Sequence, residues 1–218
     1  MHKECLPVKG RAVLGCMKKI VADYQAVLAG GTALALQIGH RISADLDFFA
    51  EKEVRADTLL RKIKASGMAI QVISEGEGYL VAEINGLKFS MFHYDYPFAD
   101  PVLYEGVLIA SIIDIAGMKA IAISQRGTKR DFVDLYFILQ DIPFHKIAEH
   151  MVRRFGRERI NPVHIGKSLV YFADADSNYD PEYAGKKVSW EAVKAFFRKH
   201  VKQFTLDLDV AVKNGARE

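Results

Sequence analysis

The stretch VLAGGTALALQIGHRISADLDFF, residues 27–49, contains two features that a purely structural segment does not need. A Gly-Gly-Thr sequence at residues 30–32 interrupts an apolar run, and two aspartates, Asp45 and Asp47, stand in what the pattern predicts to be a β-strand. Strands disfavour both glycine and aspartate. These residues therefore indicate a chemical task at this place in the chain.

The composition restricts the class of protein. The chain has 218 residues, of which 50% are hydrophobic and 26% are charged, as is typical of a globular protein. The net charge of +3 is too small to indicate a nucleic-acid partner by itself. Cys5 and Cys16 have no partners at zinc-site spacing, and there is no apolar signal segment or membrane span. We therefore expect a reduced, cytoplasmic protein without a membrane partner.

Hydrophobic periodicity divides the chain into an α/β part, residues 1–106, and a helical part, residues 107–218. In the first part, strands are predicted at 25–29, 45–50 and 69–75, and a hairpin at 79–92 with Asn85-Gly86 at its turn. Residues 97–106 are predicted as a loop. Helices are predicted at 11–22, 33–38, 56–67, 109–125, 129–140, 143–155, 162–173 and 188–211. The expected fold class is α+β, with a mixed sheet flanked by helices and an all-helical C-terminal region.

The two aspartates form a candidate metal site. Residues i and i+2 of a strand point to the same side, so Asp45 and Asp47 share one face and Leu46 and Phe48 share the other. Two neighbouring carboxylates repel each other, and a cation between them removes the repulsion. Oxygen ligands suit Mg²⁺, which completes its shell with water and substrate phosphates. The alternative is a strand edge with two solvated aspartates.

The upstream glycines favour the metal hypothesis. Gly30, Gly31 and Thr32 follow one strand and open a helix, and backbone N–H groups at a helix start bind anions. The alternative is a tight turn in which Thr32 caps the helix. A phosphate site followed closely by a carboxylate pair provides what nucleotidyl transfer requires.

At this point the sequence resembles a known family. The run from Gly30 to Phe49 is similar to the signature of the polymerase-β-like nucleotidyltransferase superfamily and, more narrowly, to that of the AbiEii toxin family. A second block, KAIAISQRGTKRDFVDLY at residues 119–136, is similar to a conserved block of that family. The resemblance implies a nucleotidyltransferase-like fold and a Mg²⁺-dependent transfer of a nucleotide from an NTP. It also implies a toxin of a bacterial toxin–antitoxin or abortive-infection system, with RNA or tRNA as acceptor and a cognate antitoxin as partner.

Three further residues in the first part are candidates for nucleotide binding. Arg41 precedes the acidic strand and could balance the aspartates or contact a triphosphate. Lys88 is a candidate phosphate ligand, although a cross-strand ion pair with Glu83 explains it equally well. Ser90 occupies the place where many nucleotidyltransferases carry a third carboxylate, which puts a three-acid mechanism in doubt.

The second block contributes the remaining candidates. Lys119 lies on an apolar helical stripe, so it either snorkels at a helix seam or faces the triphosphate, and the resemblance favours the second role. Thr128 and Asp131 fit a capping box. Asp131 and Asp134 are expected to support Arg126 and Arg130, in a salt-bridge cluster that lines a cleft or contacts the nucleotide directly.

The sequence predicts an enzyme in which Asp45 and Asp47 bind Mg²⁺, Gly30, Gly31 and Thr32 hold phosphate, and pyrophosphate leaves. Asp47 could also assist deprotonation of the acceptor. The alternative from another class is a non-catalytic nucleotide-binding or interaction module on the same fold, which the missing third carboxylate leaves open. A second alternative is a phosphotransfer or hydrolytic enzyme on the same scaffold.

Overall fold

A seven-stranded mixed β-sheet forms the first part of the fold, as the sequence predicts. The computed structural model describes residues 1–215. The strands are β1 (Val27–Ala29), β2 (Leu46–Ala50), β3 (Ile70–Gly76), β4 (Tyr79–Ile84), β5 (Leu87–His93), β6 (Val102–Tyr104) and β7 (Val107–Ile109). Their order across the sheet is β3-β4-β5-β2-β1-β7-β6. Strand β2 is antiparallel to β1 and parallel to β5, which places it at the centre of the sheet.

Three α-helices accompany this sheet within residues 1–111: α1 (Val8–Asp23), α2 (Gly30–Ile38) and α3 (Ala56–Ala65). Helix α1 contacts β2 and β5, and α3 contacts β4. Along β2, the fully buried Leu46 and Phe48 alternate with the half-buried Asp47 and Phe49. Because side chains alternate across a strand, Asp47 and Phe49 share the face opposite the buried residues.

The predicted hairpin is confirmed as β4 and β5. Asn85 and Gly86 form its two-residue turn with positive φ angles of 49° and 72°, as a type I′ turn requires. The register pairs Glu83 with Lys88 and Val81 with Ser90. The hairpin therefore fixes the register of β5 against β4, and a separate parallel pairing places Ser90 beside Asp47 of β2.

Two short strands correct the prediction around residues 97–109. The predicted loop 97–106 contains β6, and the helix predicted from residue 109 begins only at Ile112, because residues 107–109 form β7. Each strand has three residues, too few to show a period of two. Strand β7 pairs in parallel with β1. Strand β1, which leads into the Gly-Gly-Thr turn, is therefore paired with a strand on each side.

The helical part of the chain agrees with the prediction in all but one segment. It comprises α4 (Ile112–Gln125), α5 (Lys129–Ile138), α6 (Phe144–Phe155), α7 (Pro162–Ser168), α8 (Ala173–Asp176) and α9 (Trp190–Asn214). The helix predicted at 162–173 is wrong, because α7 ends at Ser168 and α8 begins only at Ala173. Aromatic rings pack in this core, with Phe132 against Phe172, Trp190 and Phe197.

The chain forms two compact units, Met1–Ser111 and Ile112–Glu218. The predicted division between residues 106 and 107 separates β6 from β7, which are paired in the same sheet. Residues 216–218 of the predicted C-terminal region lie outside the described residues. None of the helices in the described part of the chain combines the length and hydropathy needed to cross a lipid bilayer.

Candidate active site

The glycine turn joins β1 directly to α2. Gly30 begins the helix with a φ of +68°, a conformation in which residues with a Cβ are strained. A Cβ atom at Gly30 would lie 3.3 Å from Oδ2 of Asp47. Glycine at position 30 therefore allows the backbone at the helix start to approach the carboxylate closely.

Arg41 lies against the second glycine of the turn. Its side chain is buried, and a Cβ atom at Gly31 would overlap the guanidinium group. Nη1 of Arg41 donates to the carbonyl oxygen of Ile42 at 3.1 Å. The absence of a side chain at Gly31 thus makes room for a cation beside the N-terminus of α2, where the helix dipole also attracts anions.

Thr32 does not cap the helix, and this part of the prediction is wrong. The N-cap position is Ala29, three residues before the expected N-cap Thr32, because Gly30 already enters the helix. The buried Thr32 hydroxyl instead donates to the carbonyl oxygen of Asp45 at 2.5 Å and lies 2.9 Å from Oγ of Ser43. Thr32 therefore ties α2 to the segment that carries Asp45.

Asp45 and Asp47 occupy the start of β2. Asp45 immediately precedes the strand, and Asp47 pairs in register with Ala29 of β1 and Ser90 of β5. Oγ of Ser90 donates to Oδ1 of Asp47 at 2.5 Å. Both aspartates are half-buried, and within residues 1–215 neither forms an ion pair. The pair combines partial burial with the lack of an ion-pair partner among these residues, and carboxylate oxygens in such a place suit a bound cation.

Ser90 stands beside the aspartates on the strand that could have carried a third acid. In the part of the chain that the structure describes, no group of three or more His, Cys, Asp or Glu side chains is placed to hold a metal. Lys88 is exposed and lies two residues before Ser90 on β5. Its register partner on β4 is Glu83. The structure thus brings Lys88 and Ser90 to the same face as Asp47.

The second-block residues form a separate cluster in the helical unit. Nζ of Lys119 lies 2.7 Å from Oδ1 of Asp131 and 2.7 Å from Oδ2 of Asp134. The Lys119 side chain is only 8% exposed, and the two carboxylates are no more than 2% exposed. The two aspartates thus hold Lys119, a pairing that the sequence did not predict. Asp131 also supports Arg126 as predicted, since Nε of Arg126 donates to its Oδ2 at 3.3 Å. This network joins α4 to α5.

Electrostatics in this cluster favour the ionised form of Asp131. Burial alone would raise the pKa of Asp131, but the charge of Lys119, hydrogen bonds from Lys119 and Thr128, and the nearby Arg126 together hold that pKa below its usual value. Thr128 is the N-cap residue of α5 as predicted, but its hydroxyl accepts no capping hydrogen bond from the backbone and instead donates to Oδ2 of Asp131 at 2.6 Å. Arg130 is exposed.

A buried ionic triad in the helical unit was missed in the sequence. Asp114 on α4 accepts from Nε2 of His150 at 2.8 Å and from Nη1 of Arg154 at 3.0 Å, both on α6. All three side chains are at most 6% exposed. The available signals were an aspartate in an otherwise apolar helix and a His-Arg pair at i, i+4. The triad joins two helices of the same core.

The chain is similar to a known protein family and to a relative from another organism. Residues 13–99 and 93–214 match the family described as nucleotidyl transferase AbiEii toxin, Type IV TA system. An uncharacterized protein of Aquifex aeolicus (strain VF5) is 38% identical over 183 residues, which cover 81% of this chain and 86% of that protein.

Two solved structures resemble the fold. MenT4, a nucleotidyltransferase toxin of Mycobacterium tuberculosis H37Rv, aligns with a TM-score of 0.63 and 16% identity over 96% of this chain and 86% of that chain. JHP933 from Helicobacter pylori aligns with a TM-score of 0.54 and 20% identity over 98% of this chain and 100% of that chain. At these identities the likeness concerns the fold, and the nucleotidyltransferase-like architecture is confirmed.

Proposed function

The chain belongs to the AbiEii family of nucleotidyltransferase toxins, and from this premise we propose that it transfers a nucleoside monophosphate from an NTP to an RNA acceptor. Asp45 and Asp47 are the proposed centre of the site. The observation that carries the proposal is the uncompensated carboxylate pair beside the glycine turn at the start of α2. A phosphate cradle and a cation site therefore lie next to each other in one unit of the fold.

The residues present fit a divalent metal. Two half-buried carboxylates without an ion-pair partner within residues 1–215 offer hard oxygen ligands, and Mg²⁺ is commonly held by one or two carboxylates together with substrate phosphates. We assign Asp45 and Asp47 as its ligands. When bound, Mg²⁺ would neutralise charge on the phosphates of the NTP. Ser90 fixes the orientation of Asp47 by its hydrogen bond to Oδ1.

The phosphates of the NTP are assigned to the glycine turn. Backbone N–H groups of Gly30 and Gly31 lie at the N-terminus of α2, where the helix dipole favours anions. Arg41 places a guanidinium against Gly31, and guanidinium groups suit phosphate recognition. Lys88 supplies an exposed charge on the same sheet face. Thr32 serves as a positioning residue, since its hydroxyl is committed to the Asp45 carbonyl oxygen.

The proposed reaction is an in-line displacement at the α-phosphorus. An acceptor hydroxyl oxygen forms the new P–O bond, the bond from the α-phosphorus to the bridging oxygen breaks, and pyrophosphate leaves. The hydroxyl proton passes to the Asp47 carboxylate, whose Oδ2 atom lies beside Gly30. The peptide at Gly30 and the Arg41 guanidinium stabilise the negative charge that develops on the phosphates.

The pairing of Lys119 with a triphosphate stays a prediction, as do nucleotide contacts of Arg126 and Arg130. The contacts within the helical unit support a positioning role for Lys119, because two buried carboxylates at 2.7 Å already neutralise it. Asp131 and Asp134 are assigned the same role. This cluster would stabilise the packing of the two helices that contain the second block.

The family description also supports a partner. A toxin of a Type IV TA system implies an antitoxin produced by the same cell, and we propose that one counteracts this chain. Expression of the wild-type chain alone should arrest bacterial growth, whereas expression of the Asp45→Asn/Asp47→Asn variant should not. Growth arrest by the double variant would contradict a toxicity that depends on transfer.

The transfer assay tests the proposed reaction directly. Purified protein is incubated with Mg²⁺, total bacterial RNA and each α-³²P-labelled NTP in turn, and modified RNA is analysed by mass spectrometry. We expect RNA that carries an added nucleoside monophosphate with wild type and with the control Asp209→Asn, a half-buried aspartate on α9 that pairs with Lys213. The Asp45→Asn/Asp47→Asn variant should leave RNA unlabelled. Free phosphate without labelled RNA would support hydrolysis, and NTP binding without any product would support a non-catalytic module.

A further inference from the structure

Three aromatic rings form a row across neighbouring strands of the sheet. The register pairs Phe49 of β2 with Phe92 of β5, and Phe92 with Tyr79 of β4. The Phe49 and Phe92 ring centroids are 5.6 Å apart, and those of Phe92 and Tyr79 are 6.3 Å apart, with interplanar angles of 30° and 24°. We call these three residues the ring row.

The ring row lies on the same face as the carboxylate pair. Asp47 and Ser90 are register partners, and each lies two residues before a member of the row, Phe49 and Phe92. Two residues along a strand span about 6.6 Å. The glycine turn and Lys88 lie toward the other side of Asp47, at the start of β2 and β5. Asp47 therefore lies between the residues proposed to bind the phosphates of the NTP and the ring row.

Burial distinguishes the ring row from core aromatics of the same strands. Phe48 and Phe89, on the opposite face, are 0% exposed. All three members of the row are only half-buried. Tyr94 braces the row with an edge-on contact to Phe49, at a centroid distance of 5.1 Å. Partial exposure and a rigid backing are what a stacking surface needs.

We propose that the ring row binds a base at the end of a single-stranded RNA acceptor. This inference rests on the proposed function, because it assigns the acceptor to the side of Asp47 that the phosphates of the NTP do not occupy. Bases of unpaired RNA splay out and pack on aromatic side chains. Phe49 lies two residues, about 6.6 Å, from Asp47. A terminal base on the ring row therefore places the terminal ribose close to Asp47, where its hydroxyl group meets the α-phosphorus.

The test measures RNA binding without catalysis. The probe is an unstructured RNA of about twelve nucleotides with 2-aminopurine at its 3′ end, whose fluorescence falls when the base stacks on a ring. Titration of wild-type protein, without NTP or Mg²⁺, should quench the probe. Phe92→Leu and Tyr79→Leu should each weaken the affinity about tenfold or more, while the affinity for Mg²⁺-NTP stays at the wild-type value.

Controls separate ring loss from misfolding. Phe92→Tyr keeps a ring and should retain quenching, and Tyr171→Leu removes a ring that is 60% exposed in the helical unit and should have no effect. A blunt duplex of the same sequence should not be quenched, because its bases cannot splay out. Wild-type RNA affinity in folded Phe92→Leu and Tyr79→Leu proteins would overturn the inference. So would a loss of NTP affinity alone, which would assign the row to the donor base.

Failure of the proposed function is distinguishable from failure of this inference. The Asp45→Asn/Asp47→Asn variant retains the ring row and should quench the RNA probe as wild type does, although it transfers nothing. Quenching by a wild-type protein that transfers no nucleotide would contradict the proposed reaction and support the ring row as an RNA site.

Discussion

Two aspartate pairs in this molecule have the same side chains but opposite surroundings. Asp45 and Asp47 are half-buried at the start of a strand, and the side-chain bond to Asp47 comes from the neutral hydroxyl of Ser90. Asp131 and Asp134 are buried at a helix start and share the ammonium group of Lys119. The first pair has no ion-pair partner in residues 1–215, whereas the second is held by a buried lysine of the same unit.

The surroundings of an aspartate pair decide whether it stabilises the fold or is available to a ligand. A buried carboxylate needs a partner, because the loss of hydration costs several kcal/mol. The helical unit supplies that partner from its own chain. At β2 the pair is only half-buried, so the cost of burial is smaller and no ion pair from residues 1–215 is required. Substitutions in the first pair should therefore lower the rate of nucleotide transfer, and substitutions in the second pair should lower the free energy of unfolding.

Removal of one charge from the first pair should have the largest effect. We expect Asp47→Asn to lower the rate of nucleotide transfer at least about a thousandfold, because a metal ligand worth several kcal/mol is lost. The unfolding free energy should change by no more than about 1 kcal/mol, since the side chain is half-exposed. Asp209→Asn is the control. A variant that transfers nucleotide at the wild-type rate would remove Asp47 from the reaction.

Removal of the cation from the second pair should instead affect stability. Lys119→Met removes the buried cation that Asp131 and Asp134 share, and we expect urea unfolding to show a loss of about 3–5 kcal/mol. Lys129→Met is the matched control, since Lys129 pairs with a single carboxylate, Asp180, that is 59% exposed, and its loss should cost about 1 kcal/mol or less. Equal stability losses in the two variants would contradict the comparison.

Acidification should weaken the stabilisation that Asp131 of this cluster gives to the wild-type protein. The pKa of Asp131 is lower in the folded chain than its ordinary value, so the unfolded state binds more protons between these two values. The stabilisation is complete above about pH 4 and is lost as pH falls through the folded pKa. The difference in unfolding free energy between wild type and Asp131→Asn should shrink on acidification from about pH 5 to about pH 3. A constant difference would contradict the assignment.

The hydroxyl beside the first pair should have the smallest effect. Ser90→Ala removes the hydrogen bond to Asp47, worth about 1 kcal/mol, and should slow nucleotide transfer about tenfold or less. Ser124→Ala removes a hydroxyl that donates to the backbone of its own helix and should leave transfer unchanged. If Ser90→Ala transfers as fast as Ser124→Ala, Ser90 has no part in orienting Asp47.

Local sequence patterns predicted much of the fold and of the first pair. Alternation identified the hairpin, and the Asn-Gly turn set the register of β4 against β5. The position of Ser90 beside Asp47 depends instead on the parallel pairing of β2 with β5, which joins residues 43 positions apart. The glycine turn and the aspartates departed from strand preferences and thereby indicated a candidate site, whose residues the structure brings close together. These signals are local, and they were predictable for that reason.

Contacts between distant residues could not be predicted in the same way. The partners of Lys119 lie 12 and 15 positions away, and His150 lies 36 positions from Asp114. Helical periodicity places each residue on a face but does not say which helix packs there. The role of Thr32 was missed because Gly30 starts the helix early, and β6 and β7 are too short to show alternation.

Isothermal titration of each of the four NTPs, with and without Mg²⁺, tests the central claim most directly. Wild type, Asp45→Asn/Asp47→Asn and the control Asp209→Asn are compared. We expect Mg²⁺-dependent binding of at least one NTP by wild type and control, and its loss in the double variant. Mg²⁺-dependent binding that survives in the folded double variant, or none in wild type, would contradict the assignment of Asp45 and Asp47 as the metal site.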